Sequence, residues 1–153
     1  MKVLLQRVKF AKVEVSQNVV GEIGTGLLLF LGFKKGDSEI EIHQLVDKIA
    51  NARIFGDEQG KMNLNVRQVG GDVLVVSQFT LCANLKKGNR PSFIEAAAPQ
   101  IAKQLYQYFC ESLSLKLKKE VQKGVFGADM QVHLLNDGPV TLMYEIDNQK
   151  LWN

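Results

Sequence analysis

Residues 26–33 read Gly-Leu-Leu-Leu-Phe-Leu-Gly-Phe, an unbroken apolar run. A strand sends alternate side chains to opposite faces, so a strand apolar at every position must be covered on both. The run is far short of the roughly 20 residues that a membrane-spanning helix needs. The chain must therefore build structure on both sides of a sheet. Its 153 residues leave room for one such unit, and residues 1–153 are expected to form a single domain.

The rest of the pattern is mixed. Residues 2–8 and 12–16 alternate as strands, Gln17-Asn18 reads as a turn, and Val19 to Ile23 reads as the return strand of a hairpin. Ser38 followed by Glu41 has the spacing of a capping box. Ile42, Leu45, Val46 and Ile49 follow at helical spacing, which predicts an amphipathic helix over 39–52. Gly56 to Gly60 reads as a turn-rich loop. Asp72 to Val76 reads as a second buried strand that ends in polar residues. Ser92 and Glu95 repeat the capping-box spacing, and Pro99 suits the first turn of a second helix. That helix should carry Ile101, Leu105, Tyr108, Phe109 and Leu113 on one face. Met130 to Leu135 and Val140 to Asp147 read as two final strands separated by a turn. The order gives the α/β class, with a mixed sheet and helices covering one face.

Composition removes much side-chain chemistry. There are two His and two Cys, too few for a zinc site built from clustered ligands or for a disulfide-stapled scaffold. His43 lies off the helix's apolar stripe and reads as a surface residue; His133 reads as a structural residue on a strand. Cys110 reads as core packing. Cys82 has only Lys86 and Lys87 nearby to activate it. No nucleophile elbow, close carboxylate pair, P-loop or dinucleotide fingerprint is present. The net charge of +3 is mildly basic and not diagnostic. The N-terminal segment has no signal-peptide pattern and no segment suits a membrane, so a cytoplasmic protein is expected.

Two polar segments remain. Ser77-Gln78-Phe79-Thr80-Leu81 ends a buried strand and offers hydroxyls, an amide and backbone N–H groups that could bind an oxyanion. It could equally be a polar strand end satisfying its own loop. Asn136-Asp137-Gly138-Pro139-Val140-Thr141 reads, taken alone, as an Asx-type turn. Its Gly-Pro bond could also be cis, which would point the flanking carbonyls in nearly the same direction.

These two segments resemble the signature motifs of the D-aminoacyl-tRNA deacylase family. The similarity extends along the chain through Gln6-Arg7-Val8, residues 87–93 and residues 124–130. The resemblance implies an α/β/β layered fold and a homodimer with its sites at the interface. It implies an enzyme that hydrolyses the ester of D-aminoacyl-tRNA, and of glycine mischarged on alanine tRNA, and that spares L-aminoacyl esters. It needs no cofactor and no metal. Its partners are aminoacylated tRNA and a second copy of the chain, with no membrane.

Carried over residue by residue, Ser77, Gln78, Phe79 and Thr80 would line the ester. Gly138 and Pro139 would reach across the dimer as a cis-Pro filter that excludes an L side chain, a selection by clash. Arg7 would brace that filter, and Met130 would contact substrate. Two mechanisms compete. Thr80 could be a nucleophile, although the sequence shows no base beside it. Alternatively, the backbone N–H groups of Phe79 and Thr80 could hold the oxyanion while the vicinal ribose hydroxyl assists a water; this is the preferred reading. Lys86, Lys87 and Arg90 are candidates for phosphate contacts, and Lys116, Lys118, Lys119 and Lys123 could extend them. The alternative function is a non-catalytic RNA-binding module for the tRNA acceptor end.

Overall fold

The computed structural model describes all residues except 87, 148, 149 and 153. In chain order come strands β1 (Lys2–Val15), β2 (Asn18–Ile23) and β3 (Gly26–Gly32), helix α1 (Glu39–Ala50), and strands β4 (Phe55–Gly56), β5 (Met62–Leu64) and β6 (Asp72–Ser77). A 3₁₀ turn (Phe79–Cys82), helix α2 (Pro99–Leu117) and strands β7 (Gln122–Lys123), β8 (Gln131–Asp147) and β9 (Lys150–Trp152) complete the fold.

Seven strands form one curled sheet in the order β7-β6-β3-β1-β8-β9, with β2 also paired to β1. The long β1 is its spine. One edge of β1 takes β3 along residues 2–8 and β2 along residues 11–15, and the other takes β8 along nearly its whole length. The β3–β6 and β6–β7 pairs are parallel and the rest antiparallel, so the sheet is mixed, as expected.

The apolar run becomes β3 and is covered on both faces. Leu27, Leu29 and Leu31, with Val73 and Val75 of β6, pack beneath Ile42, Leu45 and Ile49 of α1 and Leu105, Phe109 and Leu113 of α2. Leu28, Leu74 and Val76 face the other way, into a second cluster with Val8, Ala11, Val13 and Ile23. Burying each leucine is worth about 2 kcal/mol over leaving it exposed, so this run fixes the centre of the sheet. Gly26 is required where β3 meets β6, because a Cβ there would collide with the Asp72 carbonyl oxygen.

Helix α1 starts as its sequence predicts. Ser38 caps it, and the Glu41 carboxylate accepts from the Ser38 N–H at 2.9 Å. Pro99 is the first residue of α2.

Several expectations need correction. The β1–β2 turn lies at Ser16-Gln17, one residue earlier than predicted. Both residues have positive φ (48° and 67°), as a tight two-residue hairpin requires. Asn18 instead opens β2 and its Nδ2 donates back to the Ser16 carbonyl at 3.0 Å. The 56–60 loop is turn-rich as predicted, and it forms the tip of the small hairpin β4–β5. No helix starts at Ser92, because its backbone is already paired with Asn84 in both directions. The buried face of α2 is rotated from the predicted one. Ala102, Tyr106 and Cys110 join Leu105, Phe109 and Leu113 inside, while Ile101 is exposed and Tyr108 half-buried. Finally, residues 131–147 are one strand, and the predicted turn is a bulge within it, Asp137 to Val140, not a turn between two strands.

Candidate active site

The buried residues Val73 to Val76 anchor β6 between β3 and β7, and the strand delivers Ser77 and Gln78 to its C-terminal end. The Gln78 N–H donates to the Leu31 carbonyl at 2.6 Å, which ties this exit to β3. The chain then tightens into the 3₁₀ turn, with Leu81 N–H donating to the Gln78 carbonyl and Ala83 N–H to the Thr80 carbonyl. Phe79 and Thr80 open that turn, where a helical segment leaves its first N–H donors without internal partners. Both residues are exposed. The Gln78 side-chain amide donates to the Thr80 hydroxyl, and the Phe79 ring meets Phe93 edge-on with centroids 4.9 Å apart.

A cleft of about 470 Å³ opens beside this turn. Ser77, Gln78 and Phe79 form one wall, Phe126 and Met130 another, and the Ala96–Pro99 approach to α2 closes it. Four of the predicted residues thus share one space: Ser77, Gln78, Phe79 and Met130. Phe126 was not singled out from the sequence. It lies in an irregular segment, where no periodicity marks a side chain as facing a cavity.

Gly138, Pro139 and Arg7 form a second group, outside the lining of that cleft. The Gly138–Pro139 bond is cis, and both residues are exposed. Arg7 Nε donates to the Asp137 carbonyl at 3.2 Å and lies equally close to the Asp137 carboxylate. Its Nη1 donates to the Ile54 carbonyl at the far end of the α1–β4 connection. Lys9 adds a second cation 3.5 Å from Asp137. Gly138 has φ of +118°, and a Cβ there would sit 2.6 Å from Arg7 Nη2. Only glycine suits that backbone and that contact.

The histidines lie elsewhere. His43 is exposed and hydrogen-bonded to the Tyr108 hydroxyl at 2.8 Å. His133 is exposed on β8, 3.6 Å from Glu14. Burial pushes the Cys82 thiol up, and its Sγ rests 3.4 Å from the Phe33 carbonyl, so it is a poor nucleophile. Cys110 is buried in the core, and burial pushes its thiol up to about 12. Among the described residues no three His, Cys, Asp or Glu side chains gather as a metal site, and no helix is long and apolar enough to cross a membrane.

Lys86 and Arg90 are exposed in the segment closed by the Asn84–Ser92 bridge. Lys87, predicted with them, lies outside the described residues. Two of the second lysine group have acidic partners, while Lys118 and Lys123 are exposed. Lys116 is 2.5 Å from Asp47, Lys119 is paired with Asp72, and Lys118 takes the left-handed position that ends α2.

The chain is similar to known proteins over nearly its whole length. The family described as D-Tyr-tRNA(Tyr) deacylase matches residues 4–145. A D-aminoacyl-tRNA deacylase of Histophilus somni is 53% identical over 146 residues, covering 95% of this chain and all of that protein. One from Porphyromonas gingivalis is 51% identical, covering 98% and 100%. A solved structure described as c-Myc DNA Unwinding Element Binding Protein superposes with a TM-score of 0.91 at 40% identity, covering 96% of this chain and 99% of that one. A probable eukaryotic D-amino acid tRNA deacylase shares the fold, with a TM-score of 0.82 at 18% identity, covering 95% and 98%.

Proposed function

The chain belongs to the D-Tyr-tRNA(Tyr) deacylase family, and from that membership we propose that it hydrolyses the ester of D-aminoacyl-tRNA, and of glycine mischarged on alanine tRNA, while rejecting L-aminoacyl-tRNA at a cross-subunit filter made by Gly138 and Pro139. Family members of this kind are enzymes, and editing of misacylated tRNA is the activity that fits them.

In this reading the aminoacyl ester sits in the cleft beside Phe79 and Thr80. Water attacks the ester carbonyl carbon, and the N–H groups of Phe79 and Thr80 hold the oxyanion. The vicinal ribose hydroxyl helps to position that water. The carbon–oxygen bond to the ribose then breaks, the ribose oxygen takes a proton, and free amino acid and tRNA leave. An aminoacyl ester is already activated, so positioning and oxyanion binding suffice without a side-chain nucleophile.

One observation carries the two-subunit form of this reading. Gly138 and Pro139 are exposed on β8 and do not line the cleft of their own chain. Their segment is nevertheless braced by Arg7, as a rigid wall needs to be. A second copy would bring that wall to the cleft. Phe10 and Leu135, direct neighbours across β1 and β8, are 44% and 52% exposed and offer apolar surface for such a copy to cover. The clusters on the two faces of β3 and β6 are the basis for reading the domain as α/β/β layers. Lys86, Arg90 and Lys87 would meet phosphates near the acceptor end, and the protein would work in the cytoplasm, where charged tRNA is found.

Release of amino acid from D-tyrosyl- and L-tyrosyl-tRNA tests the proposal. Rapid release from the D ester alone is expected. Release of neither favours a binding module without catalysis, and equal release of both removes the filter.

A further inference from the structure

The β1–β8 ladder pairs Val8 with Asn136 and Gln6 with Thr141. Asp137, Gly138, Pro139 and Val140 therefore stand opposite the single residue Arg7. A bulge of this size takes backbone polar groups out of the ladder, and they must find other partners. Arg7 takes the Asp137 carbonyl. Of the two ladder residues that flank the bulge, Asn136 takes the Val140 N–H and Thr141 holds Asn136.

Asn136 Oδ1 accepts from the Val140 N–H at 2.9 Å. Asn136 Nδ2 donates to Thr141 Oγ1, also at 2.9 Å. Thr141 Oγ1 in turn accepts from Gln6 Nε2 of β1 at 3.2 Å. One side-chain amide thus closes the bulge from its first flank to its last, and one hydroxyl ties that closure to the spine of the sheet. The partners fix which way the amide faces, because an acceptor must meet the Val140 N–H and a donor must meet Thr141.

We propose that Asn136 and Thr141 are positioning residues for chiral selection. This rests on the filter reading above and deepens it. Selection by clash works only if the wall does not yield, since a displacement of about 1 Å is enough to loosen a site. Arg7 holds the bulge at Asp137, before Gly138. Asn136 and Thr141 hold it at Val140, after Pro139. With both ends held, the Gly138–Pro139 pair has a fixed height above β1. With the second end released, it can retreat and admit an L side chain. Neither residue touches the ester, so their loss should alter which enantiomer is accepted more than how fast the accepted one reacts.

Single-turnover release from D-tyrosyl- and L-tyrosyl-tRNA is the test, applied to Asn136→Ala, Thr141→Val and Thr141→Ser, with melting temperatures alongside. Asn136→Ala and Thr141→Val should each lower the D-to-L rate ratio at least tenfold, through faster L release. Thr141→Ser, which keeps the hydroxyl, should stay within about threefold of the parent. Should Asn136→Ala fail to fold, Thr141→Val decides the matter, being nearly isosteric. A discriminating parent whose variants keep its ratio overturns the inference alone, as does slower D release at an unchanged ratio, which marks a merely structural role. A parent that releases both esters equally overturns the filter, and the inference with it.

Discussion

Arg7 Nε lies 3.2 Å from both the backbone carbonyl oxygen and the carboxylate of Asp137, so one donor group holds the entrance of the β8 bulge by main chain and side chain together. The same guanidinium reaches Ile54 through Nη1. It therefore links the Gly138 segment to the end of the α1–β4 connection, across three parts of the chain that are distant in sequence.

Lysine cannot reproduce this arrangement. It carries the charge but lacks the planar fork that serves several acceptors at fixed angles. Arg7→Lys should cost about 2 kcal/mol, the usual worth of a hydrogen bond to a charged group, and should lower the D-to-L ratio. Urea denaturation checks the first and the release assay the second. A variant as stable as the parent would show that Arg7 is dispensable to the bulge.

Thr80 is exposed, and its hydroxyl is engaged by the Gln78 amide. No histidine or carboxylate contacts it among the described hydrogen bonds. Thr80→Ala should keep turnover within about tenfold of the parent, because the backbone N–H groups survive the change. A loss on the order of a million-fold, with the fold intact by circular dichroism, is what removal of a true nucleophile produces and would establish Thr80 as one.

Lys86→Ala and Arg90→Ala remove exposed charges from the segment that follows the 3₁₀ turn. Each should weaken tRNA binding about equally for all sequences and reduce the slope of log K against log salt by about one. Lys116→Ala and Lys119→Ala should change that slope less, since Asp47 and Asp72 already neutralise those lysines. Filter binding across a salt series separates the two groups.

Burial works against ionisation of Glu41, but the Ser38 hydroxyl and backbone N–H groups outweigh it and hold the carboxyl below its usual range. A group depressed on folding contributes stability that is present above the unfolded value, about 4.3, and lost as pH falls through the lower folded value. Ser38→Ala should therefore cost about 1 kcal/mol at neutral pH. The gap to the parent should narrow below about pH 4, as the parent's Glu41 also protonates. Urea midpoints at the two pH values read this directly, and a gap independent of pH would exclude the carboxylate from the cap.

Local rules suffice where the covering partner need not be known. The run at 26–33 forces burial on two faces whatever covers it, because alternate side chains leave a strand in opposite directions. The Ser38–Glu41 cap and Pro99 at the head of α2 follow from the donors that every helix start leaves free. The rotated face of α2 was not legible beyond Cys110, since Ala102 and Tyr106 are weakly apolar and are buried only because the sheet lies on their side. The Ser92–Glu95 spacing misled because a long-range pairing with Asn84 had already claimed the Ser92 backbone.

The candidate site divides in the same way. Residues 77–80 and 136–141 stand out in the sequence as polar groups placed against buried strands, and their order resembles one family. What they form depends on register. Three extra residues in β8 opposite Arg7 turn an apparent loop into a bulge within a continuous strand, and register between residues about 130 positions apart is written in no local pattern. The sequence alone determined that the strand at 26–33 is buried on both faces and which segments carry polar chemistry. Tertiary structure decided that Ser77, Gln78, Phe79 and Met130 share one cleft while Gly138 and Pro139 stand outside it, because only the pairing of β1 with β8 sets where that bulge is held.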